Sequence, residues 1–118
     1  MHNERYELEI RLHQKIAVYA TYVRRGTTKI TTNCIKGSTL LLRNISLNKK
    51  SILTDHIWVN LKEIKNNIQD LPAGARLYLT GTVYAYYNES LKRVSAVNYS
   101  IKDINIITVD GLPLASAN

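Results

Sequence analysis

Ala75–Tyr87 reads ARLYLTGTVYAYY. Leu77, Leu79, Gly81, Val83 and Ala85 share one parity, while Arg76, Tyr78, Thr80, Thr82, Tyr84 and Tyr86 share the other. Side chains of a strand alternate between its two faces, so this is a strand with one face on a core and a polar, aromatic face turned out. Gly81, in its middle, fits a bulge or a corner where the strand bends.

On either side the sequence offers more strands. Lys15 to Val23 (KIAVYATYV) is rich in β-branched and aromatic residues. Arg24-Arg25-Gly26 breaks it, and Thr27 to Asn33 reads as an extended arm. Ser38 to Ser46 and Ile52 to Leu61 read as a hairpin across the polar turn LNKKS. Both parities of the first two strands hold apolar residues, so the sequence leaves their inward face open. Leu61, Ile64, Ile68 and Leu71 recur at helical spacing after Asn60, a good cap, and Pro72 and Gly74 end the run. Arg93 to Val109 is the last long strand, bent near Lys102-Asp103. Tyr6, Leu8, Ile10 and Leu12 alternate with charges and predict an edge strand, with a short helix as the other reading.

The predicted class is therefore all-β with one short helix, in the order β-β-β-α-β-β. That is the element order of an OB-fold, a partly open five-stranded Greek-key barrel. Another small barrel or a sandwich is the main rival, because element order does not fix strand pairing. Residues 1–110 are expected to form a single domain, with 1–14 as an N-terminal extension and 111–118 as a flexible tail.

Composition narrows the function. The 118 residues carry a formal charge of +7, which favours a polyanionic partner or else only keeps the surface soluble. Cys34 is the one cysteine, so no intrachain disulfide can form, in keeping with a cytoplasmic protein. No apolar run reaches membrane-spanning length, and no membrane partner is expected.

Candidate binding residues follow from parity and from the expected loops. On the third strand His56 and Trp58 oppose the aliphatic Ile57, Val59 and Leu61 and should face out. An outward Trp there suits base stacking, or packing beneath another segment. Tyr78, Tyr84 and Tyr86, with Tyr87 and Tyr99 nearby, offer a stacking surface or ordinary cross-strand pairs. Arg24, Arg25 and Lys29 fall in the expected first loop, and Lys92 and Arg93 in the loop before the last strand. Those loops flank the binding face of an OB-fold. Arg43 adds charge on the second strand, and Lys49 and Lys50 lie in the hairpin turn.

No catalytic constellation is legible. Asp55 and His56 are adjacent on a strand and should point to opposite faces, so they are not expected to work as a base and its orienter. No zinc-ligand spacing, phosphate loop, dinucleotide glycine pattern or nucleophile elbow is present. Neither an enzyme nor a cofactor is expected.

Thr54-Asp55-His56-X-Trp58, preceded by Leu42-Arg43-Asn44-Ile45 and followed by the Gly74 to Val83 strand, carries a resemblance. Over roughly residues 30 to 107 the layout resembles small OB-like proteins of Gram-positive bacteria and their phages or mobile elements. More distantly it is similar to bacterial single-stranded DNA-binding proteins. Cationic loops around exposed aromatics make a single-strand groove, so the leading expectation is a sequence-tolerant single-stranded nucleic-acid-binding module. The resemblance implies DNA in preference to RNA, and phage or mobile-element replication or recombination as the setting. The alternative is a protein–protein interaction module, binding another protein or a second copy of itself as a homo-oligomer.

Overall fold

The structure, a computed structural model, describes residues 6–30, 33–48, 51–66, 68, 71–87 and 97–114. A helical turn, α1 (Tyr6–Glu9), is followed by β1 (Lys15–Ile30), β2 (Asn33–Ser46), β3 (Ile52–Asn60), β4 (Arg76–Tyr87), β5 (Val97–Val109) and β6 (Leu112–Pro113). The six strands make one sheet in the order β3-β2-β1-β4-β5-β6, and every pair of neighbours is antiparallel.

The expected five-stranded barrel is thus corrected to an open six-stranded sheet. No ladder joins β3 to β5 among the described residues. The chain leaving β3 meets β5 through isolated bonds. Ile64 forms a single parallel bridge with Ile104, and the Lys65 N–H donates to the Ile104 carbonyl at 2.7 Å. The Asn66 side chain then stands in for a strand. Its Nδ2 donates to the Ile106 carbonyl at 3.1 Å, and its Oδ1 accepts from the Ile106 N–H at 2.6 Å.

That use of Asn66 explains a second correction. The helix expected over 61–71 is only a 3-10 turn at Leu61–Glu63, and Asn60 makes no side-chain cap. Ile64 is already extended, at φ −101° and ψ 120°. Ile64 and Ile68 are both buried, so their spacing reflects two anchors in the core and not a helix face.

The N-terminal segment is helical where alternation predicted an edge strand. Winding buries Leu8 completely and lets Arg11 reach back one turn to Glu7, Nη1 to Oε2 at 3.0 Å. A Glu four residues before an Arg is the favourable order on a helix.

The core is aliphatic. Val18 and Ala20 of β1, Leu40 and Leu42 of β2, Ile57 and Val59 of β3, Leu77, Leu79 and Val83 of β4, and Ile101, Ile104 and Ile106 of β5 all point inward. Tyr22 is the one buried aromatic among the described residues. The inward face of β1 and β2, open in the sequence, is settled by these residues.

Gly81 lies where the β4–β5 ladder is irregular, in keeping with the bulge that its position in ARLYLTGTVYAYY suggests. The β4–β5 ladder slips there, from Thr80↔Asn105 to Thr82↔Lys102, and Asp103 takes a left-handed φ of 52° in the bulge. A Cβ at residue 81 would collide with Ile101 Cγ2 and lie 3.0 Å from the Lys102 carbonyl oxygen. At the other end of β5, Asp110 (φ 50°) and Gly111 (φ 81°) make a two-residue turn of type I′ into β6. Residue 112, placed by sequence in the tail, therefore pairs with Val109.

Asn66 is the polar group that holds the open edge, and its two bonds are buried. Asn66→Ala leaves the Ile106 amide and carbonyl unsatisfied, at a cost of about 1–3 kcal/mol. Urea denaturation is expected to show a lowered midpoint for this variant. An unchanged midpoint would mean that the Asn66 clamp contributes nothing to closing the fold.

Candidate nucleic-acid interface

The outward parity of β1, β2, β3 and β4 builds a continuous face. Ladder register sorts it into three rows. Trp58, Leu41 and Arg24 lie across β3, β2 and β1. His56, Arg43, Thr21 and Arg76 form the next row, which continues onto β4. Tyr19 and Tyr78 face each other in the third.

Arg24 belongs to this face because of a backbone irregularity. Thr21 points out and Tyr22 is buried, so strict alternation would turn residue 24 inward. The β1–β2 register shifts between Tyr22 and Arg24, where two steps of β1 oppose one step of β2. Such a bulge re-aims the side chains that follow it. Arg24 then emerges beside Trp58, with its guanidinium carbon 5.1 Å from the indole centroid.

Trp58 is 41% exposed, as the parity of β3 predicts. Its ring lies against Gly26 of β1, where any Cβ would collide with Trp58 Cζ3 and stand 2.5 Å from Thr39 Oγ1. That hydroxyl is buried and takes no hydrogen bond. The glycine thus provides the bed on which the indole rests.

The second ring assembly is on β1 and β4. The Tyr19 and Tyr78 centroids are 4.8 Å apart, and the Arg76 guanidinium carbon lies 5.7 Å from the Tyr19 centroid. Arg76 Nη1 also donates to Thr21 Oγ1 at 3.0 Å, which fixes the cation on the face. Between the two assemblies Arg43 pairs loosely with Asp55, Nη2 to Oδ2 at 3.5 Å, with both side chains about half exposed. Exposed pairs of this kind contribute little to stability and leave the cation available.

Asp55 Oδ2 also comes 3.4 Å from His56 Nδ1. This corrects the expectation that the two side chains diverge. Alternation sets where each Cβ points, while the exposed carboxylate turns back along the strand toward both Arg43 and His56.

The structure redistributes the other expected residues. Arg24, Arg25 and Lys29 are on β1 and not in a loop, because β1 and β2 pair as far as Ile30↔Asn33. Arg25 turns away from Trp58 and donates through Nη2 to the Ile68 carbonyl at 3.2 Å. The side chain of Lys29 lies outside the described residues, as do Lys49, Lys50, Lys92 and Arg93. Tyr78 shares the parity of Tyr84 and Tyr86 on β4, and its ring pairs with Tyr19. Tyr84 and Tyr86 form their own pair at 5.9 Å, with Lys102 Nζ 5.7 Å from the Tyr84 centroid. Burial first, then the nearby Tyr86 and Glu63, push the Tyr84 hydroxyl above its ordinary pKa, against a hydrogen bond with Ser100 that pulls it down.

Tyr19, Arg76 and Asp110 are the residues that sequence reasoning missed. Arg76 shares the outward parity of Tyr78, and Tyr19 alternates with the aliphatic Val18 and Ala20, so both were accessible to the same argument. Among the described residues no group of three His, Cys, Asp or Glu comes together to hold a metal ion. No helix among them is long and apolar enough to cross a membrane.

Gly26→Ala tests the seat of Trp58. In a strand this change would ordinarily gain stability by restricting the unfolded chain. Here the new methyl displaces the indole, so the emission of the sole tryptophan is expected to shift to longer wavelength. An unchanged spectrum would mean that the ring does not rest on β1.

Comparison with protein-family models, with curated proteins and with solved structures finds no match to this chain.

Proposed function

We propose that the chain is an OB-type module that binds single-stranded nucleic acid, DNA in the first place, with broad sequence tolerance. The observation that carries this reading is the pairing of exposed rings with arginines on one sheet face: Trp58 with Arg24, and Tyr19–Tyr78 with Arg76. Arginines hold phosphates while rings stack bases, and each stacked base contributes about 1–3 kcal/mol.

Strand order supports the OB assignment. β1 is central and pairs with both β2 and β4, and the chain leaving β3 is drawn to β5 in parallel orientation. An OB barrel binds on its second and third strands, between the first and fourth connections. Here β1 pairs with β4 only over Lys15 to Thr21, so the rest of the β1–β2 hairpin extends past it as an arm. The β4–β5 hairpin extends likewise beyond Thr82 and carries Tyr84 and Tyr86, with Lys102 opposite Thr82 reaching the Tyr84 ring. The preference for DNA, and a setting in phage or mobile-element replication or recombination, rest on the resemblance of Thr54-Asp55-His56-X-Trp58.

Binding through phosphates is measured by its salt dependence. Each neutralised phosphate of a single strand contributes roughly 0.7 to the slope of log K against log salt. Anisotropy of a labelled oligothymidine is expected to give a slope about 1.4 shallower for Arg43→Gln/Arg76→Gln than for the parent protein, because two phosphates are no longer neutralised. Binding that ignores both salt and these substitutions would point instead to an apolar protein-interaction surface.

A further inference from the structure

We propose that a pocket at the foot of this face takes one unstacked base of the bound strand and selects guanine. The inference rests on the single-strand reading and adds a base-reading subsite to it.

The pocket encloses about 590 Å³, within the range of small-molecule sites, and is lined by Tyr19, Arg76, Leu77, Tyr78, Asp110 and Gly111 among others. It combines three features that a base requires. The Tyr19–Tyr78 pair gives an aromatic wall, with ring centroids 4.8 Å apart. Arg76 supplies a cation at the rim for the adjoining phosphate. Asp110 supplies a hydrogen-bonding edge.

Asp110 is held in place by the start of β4. Its N–H donates to the Arg76 carbonyl at 2.7 Å, and its Oδ1 accepts from the Arg76 N–H at 2.8 Å. A carboxylate has about four acceptor positions, so one internal bond leaves both oxygens able to accept from a ligand. Gly111 beside it carries no side chain, and a Cβ there would meet no atom within 4 Å other than those of its chain neighbours.

Single-strand recognition reads bases on their free Watson–Crick edges. Guanine alone presents two adjacent donors there, N1–H and the N2 amino group, which match the two oxygens of a carboxylate. Adenine and cytosine offer a donor beside an acceptor, and thymine a donor flanked by acceptors. An acceptor set against Asp110 is repelled. Guanine is therefore the base that this edge favours.

Fluorescence anisotropy tests the subsite. The probes are a labelled oligothymidine and the same strand carrying isolated guanines, inosines or adenines. The proteins are the parent chain and Asp110→Asn. Asparagine suits the left-handed first position of a type I′ turn, and its amide oxygen can still accept from Arg76, so the turn is kept. The expected result is about tenfold tighter binding of the guanine strand than of the adenine strand, as one bidentate base contact provides. Inosine, which lacks the exocyclic amino group, should lose most of that gain. Asp110→Asn should bind all four strands alike while keeping its affinity for oligothymidine. Equal binding of every strand by the parent protein overturns the subsite and leaves the single-strand reading standing. A guanine preference that survives in Asp110→Asn overturns the assignment to Asp110. Failure to bind any strand overturns both readings.

Discussion

β1 is paired on both edges, and it changes partners along its length. Its first half is laddered to β4 and its second half to β2, with the two ladders overlapping from Tyr19 to Thr21. Only at this overlap do β3, β2, β1 and β4 lie side by side. The row His56–Arg43–Thr21–Arg76 crosses all four strands there. A strand that serves two partners must also twist between them, and the shift between Tyr22 and Arg24 absorbs that change. The same irregularity turns Arg24 to the surface. The geometry that completes the sheet thus also places a cation beside Trp58.

The distribution of aromatics follows from the core. With no Phe in the chain, the interior is filled mainly by Leu, Ile and Val. Apart from the buried Tyr22, the tyrosines Tyr19, Tyr78, Tyr84 and Tyr86, which keep a polar tip, share the outer parity with Trp58. There they meet arginine or lysine at three places: Trp58 with Arg24, Tyr19 with Arg76, and Tyr84 with Lys102. An exposed cation–π contact contributes only about 0.5–1 kcal/mol, too little to explain these positions by stability alone. A partner that needs both charge and a flat surface explains them better.

Much of the fold was legible where alternation was strict. The parity of β3 and of β4 as far as Val83 predicted their buried faces, though Ala85, on the same parity, is exposed, and Gly81 marked the shift in register, because strand periodicity and a missing Cβ are local signals. The errors arose where a tertiary contact decided. Arg24-Arg25-Gly26 reads as a break, yet β2 pairs straight across it, and Gly26 is there to seat Trp58. Asn60 and the spacing of Ile64 and Ile68 read as a helix, but Asn66 is committed to Ile106 across the sheet, a partner forty residues away that no local pattern reveals. Leu8 alternates with charges, yet its burial under the sheet requires a helical turn. Asp110-Gly111 was a missed local signal: this dipeptide between apolar residues favours a type I′ hairpin. With it went β6 and the pocket that Asp110 borders.

The outer face of β1 to β4 is the surface assigned to a single strand. Trp58 is the sole tryptophan and sits within that face, so titrating its fluorescence with oligothymidine, against a duplex of equal length, examines the claim directly. Saturable quenching by the single strand, weakened by salt and poorly matched by the duplex, is the predicted result. An emission spectrum unaltered by oligothymidine at low salt would contradict it.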